Sequence, residues 1–279
     1  MSAPSGPPYV TVKQMMLGGA EEVQRLACRE VRGGNRLAAF SAELPGLAGW
    51  ISCRPLEPST RGGDLYYMSA CSHGVIARVV LADVSGHGEA VSAAAGRLRD
   101  SLRQHVESWD QSALIQELNE NFLRTAESPQ FATAFVASFY SDSGELLFTN
   151  AGQVPPLWYR AAAREWNLLL DSTPLSKEIV DLPLGLIAGT SYRQTAVQLE
   201  PRDLLLVFTD GISESWDASG AQLGLDGLLS AARNLPTESP VAAGRGLLEA
   251  VARFRGTAPQ TDDETVLALE RRLPGGGNG

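Results

Sequence analysis

The sequence predicts a mostly antiparallel α+β protein built from two sheets with helices on their outer sides. Three observations carry this expectation. Short apolar runs bounded by turn residues recur in blocks, and runs within a block lie close enough to form hairpins. Segments of helical period come in pairs between the blocks, not singly after each strand as a doubly wound parallel sheet requires.

The elements follow in order. Residues 1–12 are rich in Pro, Ser and Gly and read as a flexible leader. Ala20 to Val31 carries Val23, Leu26 and Ala27 at helical spacing, with acids early and bases late, which predicts a short helix closed by Gly33 and Gly34. Residues 1–35 therefore read as an N-terminal extension with a short helix. Leu47 to Arg54 is a strand, and Asp64–Cys71 and Val75–Asp83 form a hairpin through Ser72, His73 and Gly74. Ala90–His105 and Ser112–Ala126 place Leu98, Leu102, Leu114, Leu118 and Phe122 at steps of three and four, so two helices follow. Strand signals resume at Ala132–Tyr140, Leu146–Asn150, Leu157–Arg160 and Trp166–Leu170. A further pair, Tyr192–Leu199 and Leu204–Thr209, precedes helical segments at Leu225–Asn234 and Val241–Phe254, and Thr265–Leu269 is the last strand. Residues 36–272 make one globular domain, and the Gly-rich stretch 273–279 reads as a disordered tail.

Composition excludes several classes. A chain of 279 residues can bury a sizeable core, and its formal net charge of −9 gives no footprint for a phosphate backbone or an anionic membrane. Nucleic acid and membrane are accordingly not expected as partners. Cys28, Cys53 and Cys71 make neither a disulfide framework nor a metal knuckle, and no apolar stretch reaches the ~20 residues that span a bilayer. A cytoplasmic protein is the simplest expectation.

Four acidic positions stand where strands end or turn: Asp64 after Gly62 and Gly63, Asp83 before Val84-Ser85-Gly86-His87-Gly88, Asp210 before Gly211, and Asp262 beside Asp263. Each alone reads equally well as a cap or a turn former. Together they are different. Carboxylates converging at the ends of apolar strands repel one another unless a cation neutralises them, and oxygen ligands without His or Cys favour Mg²⁺ or Mn²⁺ over zinc.

The segments carrying these residues match a known family. They are Gly62-Gly63-Asp64-Leu65-Tyr66-Tyr67, Ala82-Asp83-Val84-Ser85-Gly86-His87-Gly88, Phe131-Ala132-Thr133, Asn150-Ala151-Gly152-Gln153, Phe208-Thr209-Asp210-Gly211 and Asp262-Asp263-Glu264-Thr265. In this order the chain resembles the metal-dependent PPM (type 2C) protein phosphatases, specifically the bacterial branch named for the stage II sporulation phosphatase SpoIIE. The resemblance implies an antiparallel β-sandwich with helices on both outer faces, in α/β/β/α layers, with 36–272 as the phosphatase domain. It also implies two divalent cations, Mn²⁺ or Mg²⁺, with Asp83 bridging both, helped by the Val84 carbonyl, Asp64 on one cation and Asp210 and Asp262 on the other. Hydroxide shared by the cations would then attack phosphoserine or phosphothreonine directly. Supporting candidates are Gly211, which lets backbone approach the metals, His87 as a proton carrier, and Asp263, which touches a further metal or orients Asp262.

The sequence departs from the family pattern at Tyr67, in place of an acid, at Gln153, in place of His, and at Glu264, where an apolar residue is usual. These bear on pocket shape, substrate preference and the start of the last strand. The branch implies a phosphorylated protein substrate of the anti-sigma-antagonist type. The short leader reads as leaving no room for a sensor domain, so a signal is expected through a partner, through dimerisation, or not at all. The competing expectation is a catalytically degenerate phosphatase fold used as a regulatory or binding module.

Overall fold

A computed structural model describes residues 23–26, 30–71, 75–86, 89–105, 108, 110–125, 130–170 and 181–272. Two of the most apolar stretches occupy inner positions of two sheets. β6 (Ile76–Val84) lies between β5 (Arg61–Cys71) and β7 (Ala132–Tyr140), and β8 (Glu145–Ala151), β11 (Thr195–Gln198) and β2 (Val31–Arg36) complete an antiparallel sheet ordered β11-β8-β7-β6-β5-β2. β12 (Leu204–Phe208) lies in the second sheet. There it joins β1 (Val23–Arg25), β3 (Ala38–Leu44), β4 (Leu47–Arg54), β9 (Leu157–Arg160), β10 (Glu165–Leu168) and β13 (Glu264–Arg271), in the order β1-β3-β4-β13-β12-β9-β10.

Strand periodicity sorts the side chains into layers. Val79, Leu81, Phe135 and Phe139 of the first sheet meet Ile51, Val207, Leu267 and Leu269 of the second in the inner core. The alternate residues of the first sheet, among them Val80 and Ala82, face α1 (Glu89–Gln104) and α2 (Gln111–Thr125) through Leu98, Leu114 and Leu118. On the far side, Trp50, Leu206, Phe208 and Val266 meet α3 (Asp210–Ser213), α4 (Gly224–Ala232) and α5 (Pro240–Arg255) through Ile212, Leu228 and Leu247. Each such large side chain contributes about 1.5–3 kcal/mol on burial, so three apolar layers hold four layers of backbone together. This is the expected α/β/β/α sandwich. The Ser239 hydroxyl starts α5 by accepting the Ala242 N–H at 3.1 Å, ahead of Pro240.

The predicted helix over Ala20–Val31 is corrected. Val23–Arg25 and Val31–Arg36 are strands, the first paired in parallel with Ser41–Glu43 and the second antiparallel with β5; residues 20–22 and 27–29 lie outside the described residues. Tertiary pairing overrides a weak helical spacing here. The glycines read as a helix stop lie within β2, where a Cβ on Gly33 would come within 2.9 Å of the Tyr66 carbonyl oxygen. β3, which the sequence did not announce, pairs along its whole length with β4. The leader, the Ser72–Gly74 turn and the tail 273–279 also lie outside the described residues.

Register brings the informative ends together. β6 ends where β7 starts, with Asp83 opposite Thr133, and β13 starts where β4 ends, with Glu264 opposite Arg54. One end of the sandwich therefore collects the termini of strands from both sheets.

Candidate metal centre

Asp64, near the start of β5, is 2% exposed and accepts a hydrogen bond from the Thr209 hydroxyl at 2.8 Å. Thr209 occupies the N-cap position of α3, yet its side chain caps nothing there: the hydroxyl donates to Asp64 and accepts from the Thr265 N–H at 3.1 Å. One hydroxyl thus ties β5 to β13 across the two sheets. Asp83 lies one residue before the end of β6, half-buried. A Cβ placed on Gly63 would lie 2.8 Å from the Val84 carbonyl oxygen, 2.9 Å from a Val91 methyl carbon and 3.2 Å from Asp83 Oδ1, so only glycine lets β5 pass this close to the end of β6.

Asp210 opens α3, and Gly211 behind it lets β13's lead-in approach: a Cβ there would lie 1.9 Å from the Asp263 carbonyl oxygen. Asp262 is exposed and accepts the Asp263 N–H at 2.8 Å. Asp263 is buried, and its carboxylate accepts N–H groups from Leu56 at 2.7 Å, Gly63 at 2.6 Å and Asp64 at 3.4 Å. It fixes the backbone that presents Asp64. Asn35 of β2 adds a second brace by donating to the Gly62 carbonyl at 2.9 Å and the Ser92 hydroxyl at 3.0 Å.

The electrostatics are those of crowded carboxylates. Burial pushes Asp64 well above the usual carboxylate range, and the charge of Asp83 adds to it, partly offset by the hydroxyls of Thr265 and Thr209. Burial, then Asp210, Asp262 and Asp263, push Asp83 up to about 7. Asp210 is raised by burial and by Glu214, and Asp262 by burial and then by Asp210 against the opposing Asp263 N–H. The aspartates sense one another, yet among the described residues no three His, Cys, Asp or Glu side chains close into a ligand cluster. This donor set suits a hydrated hard cation, which keeps several waters and takes only one or two carboxylates.

Sequence reasoning placed the four principal aspartates at strand ends, and the structure brings those ends to one site. His87 and Gly88 lie outside the described residues. Thr209, Thr265 and Asn35 were missed as site-building residues. Thr209 had a signal, since a Thr before a helix-opening Asp is a natural N-cap, but its use elsewhere depends on a partner distant in sequence. Glu264 begins β13 as a buried carboxylate paired with Arg255 and, at 3.7 Å, with Arg54.

The chain is 23% identical over 159 residues to the phosphoserine phosphatase RsbU of Bacillus subtilis (strain 168), a match covering 57% of this chain but only 44% of RsbU. In structure it resembles the SiaA-PP2C domain of Pseudomonas aeruginosa, with a TM-score of 0.67 at 18% identity over 80% of this chain and 85% of that one. It also resembles the PP2C phosphatase domain, with a fragment of the regulatory domain, of the cell fate determinant SpoIIE from Bacillus subtilis. There the TM-score is 0.66 at 19% identity over 87% of this chain and 62% of that one. With the sequence model of the stage II sporulation protein E family matching residues 76–272, this α/β/β/α sandwich belongs to the SpoIIE family.

Proposed function

We propose that this chain is a metal-dependent protein phosphatase that hydrolyses phosphoserine or phosphothreonine in a regulatory protein. Asp64, Asp83, the Val84 carbonyl, Asp210 and Asp262 would hold two divalent cations, Mg²⁺ or Mn²⁺. The observation that carries the reading is Asp83, half-buried at the end of β6, where Asp210, Asp262 and Asp263 from the ends of other elements are near enough to press on its charge. When bound, the cations supply positive charge to the phosphate and an activated water for direct in-line displacement at phosphorus.

The residues of the chain do the positioning. Thr209 holds Asp64 in one rotamer, Asp263 locks the Gly63–Asp64 backbone, and Gly211 lets β13 come close enough to bring Asp262 beside Asp210. Asp262, the exposed member of the four, would meet an entering phosphate first. Cys53 is no rival nucleophile, because burial and the neighbouring Asp64 push its thiol far above the usual range and keep it neutral. The name of RsbU supports phosphoserine, and the family supports a small phosphorylated regulator of the anti-sigma-antagonist type acted on in the cytoplasm. No helix among the described residues is long and apolar enough to cross a membrane.

The test is hydrolysis of p-nitrophenyl phosphate with Mn²⁺, expected in the parent and absent in chelator or in Asp210→Asn. Full turnover in either condition overturns the mechanism. Failure to take up Mn²⁺ in a calorimetric titration would favour the degenerate binding module instead.

A further inference from the structure

We propose that the Gln153 carboxamide is a specificity site whose Nε2 donates a hydrogen bond to a main-chain carbonyl of the polypeptide substrate, about two or three residues from the phosphorylated side chain. The inference rests on the phosphatase reading above. Gln153 is 6% exposed and lines a cavity of about 280 Å³ between the sheet edges, bounded also by Phe148, Asn150, Leu170, Arg193 and Thr195.

Its orientation is fixed. Asn150 donates to the Gln153 carbonyl at 2.8 Å and accepts the Gln153 N–H at 2.7 Å, which locks the turn. The side-chain Oε1 accepts the Val154 N–H at 3.0 Å and the Thr133 hydroxyl at 3.3 Å. A backbone N–H can only donate, so the atom facing Val154 must be the oxygen, and the amide cannot be flipped. Nε2 is thereby left buried with no partner among the described residues. A buried donor pair in a rigid side chain is an unmet demand for an acceptor.

The acceptor's chemistry and distance follow. At the rim Asp181 and Arg193 are paired with each other, so the cavity carries no excess positive charge to attract a second phosphate, and a neutral carbonyl fits better. Thr133 stands opposite Asp83 in the β6–β7 pairing, on the order of 5 Å away at Cβ, and Gln153 is one hydrogen bond beyond it. That places the amide on the order of 10 Å from Asp83, about three residues of extended chain. Leu170, 59% exposed, also bounds the cavity.

The test compares kcat/KM with Mn²⁺ for an alanine-flanked phosphoserine heptapeptide and for N-acetyl-phosphoserine methylamide, in the parent, Gln153→Glu and Gln153→Met. The ratio of the two values does not depend on how much enzyme is folded. The parent should favour the heptapeptide, and the preference should fall about five- to tenfold in both variants, mainly through KM, as expected for one lost hydrogen bond. An unchanged ratio in the variants, or no preference in the parent, overturns the proposal and leaves water as the acceptor. A parent that fails to hydrolyse even p-nitrophenyl phosphate overturns the phosphatase reading, and this inference with it.

Discussion

Asp64 and Asp262 lie at the same site under opposite conditions. Asp64 is enclosed, 2% exposed, held by Thr209 and backed by the carboxylate of Asp263 through shared backbone. Asp262 is exposed, and the hydrogen bond it accepts comes from its own neighbour. Asp83 belongs with the first and Asp210 more with the second. One half of the site is continuous with the packed interior and is fixed by folding; the other stands toward solvent, where the proposed cations and phosphate would meet it. Changes in the first half should therefore lower stability, and changes in the second should lower turnover without lowering stability.

The largest effect expected from this contrast is on activity. Asp210→Asn should lower Mn²⁺-dependent hydrolysis by at least about 10²-fold, as loss of a charge at the reacting centre does, while leaving the melting temperature of the metal-free chain unchanged or higher. A fall in melting temperature would show that Asp210 is structural and erase the distinction. Next comes Thr209→Val, which keeps shape but removes the hydroxyl between Asp64 and the Thr265 N–H. The Thr265 N–H then loses this acceptor and Asp64 one of its donors in a buried place, and the expected cost is about 1–3 kcal/mol in urea unfolding. Stability equal to the parent would place Asp64 with the adjustable half.

The smallest effect is a pH dependence. Asp64, Asp83, Asp210 and Asp262 are all raised in the folded state, Asp83 to about 7, above an unfolded value of about 3.9. The folded chain therefore binds more protons than the unfolded chain across that window, and stability falls as pH rises through it. Metal-free protein should melt higher at about pH 5.5 than at pH 8. Mn²⁺ should raise the transition more at pH 8, because cation and proton compete for the same carboxylates. Melting temperatures that rise with pH in chelator would contradict the crowding.

The legible parts of the molecule are those whose signal is local. β6 and β12 announce themselves as apolar runs that end at Asp83 and just before Asp210, with glycine soon after, and α1 and α2 by leucines at steps of three and four. What stayed hidden depends on partners far along the chain. The Thr209–Asp64 bond spans 145 residues and the Asp263–Gly63 bond 200, and no spacing rule connects such pairs. β1 and β2 were misread for the same reason. Their strand character comes from Ser41–Glu43 and from β5, whereas their own residues, with two adjacent glycines, carry little preference for a strand.

The position of β13 has a consequence for biosynthesis. It is the penultimate tie in neither sheet but an interior strand, flanked by β4 and β12, and Asp262 and Asp263 arrive with it. A chain still emerging from the ribosome has Asp64, Asp83 and Asp210 available long before the strand that joins their supports. Since domains fold as units during synthesis, the site cannot be assembled until that strand has been released and inserted. Unfinished or C-terminally clipped chains would thus be silent, with no separate inhibitor needed to keep them so.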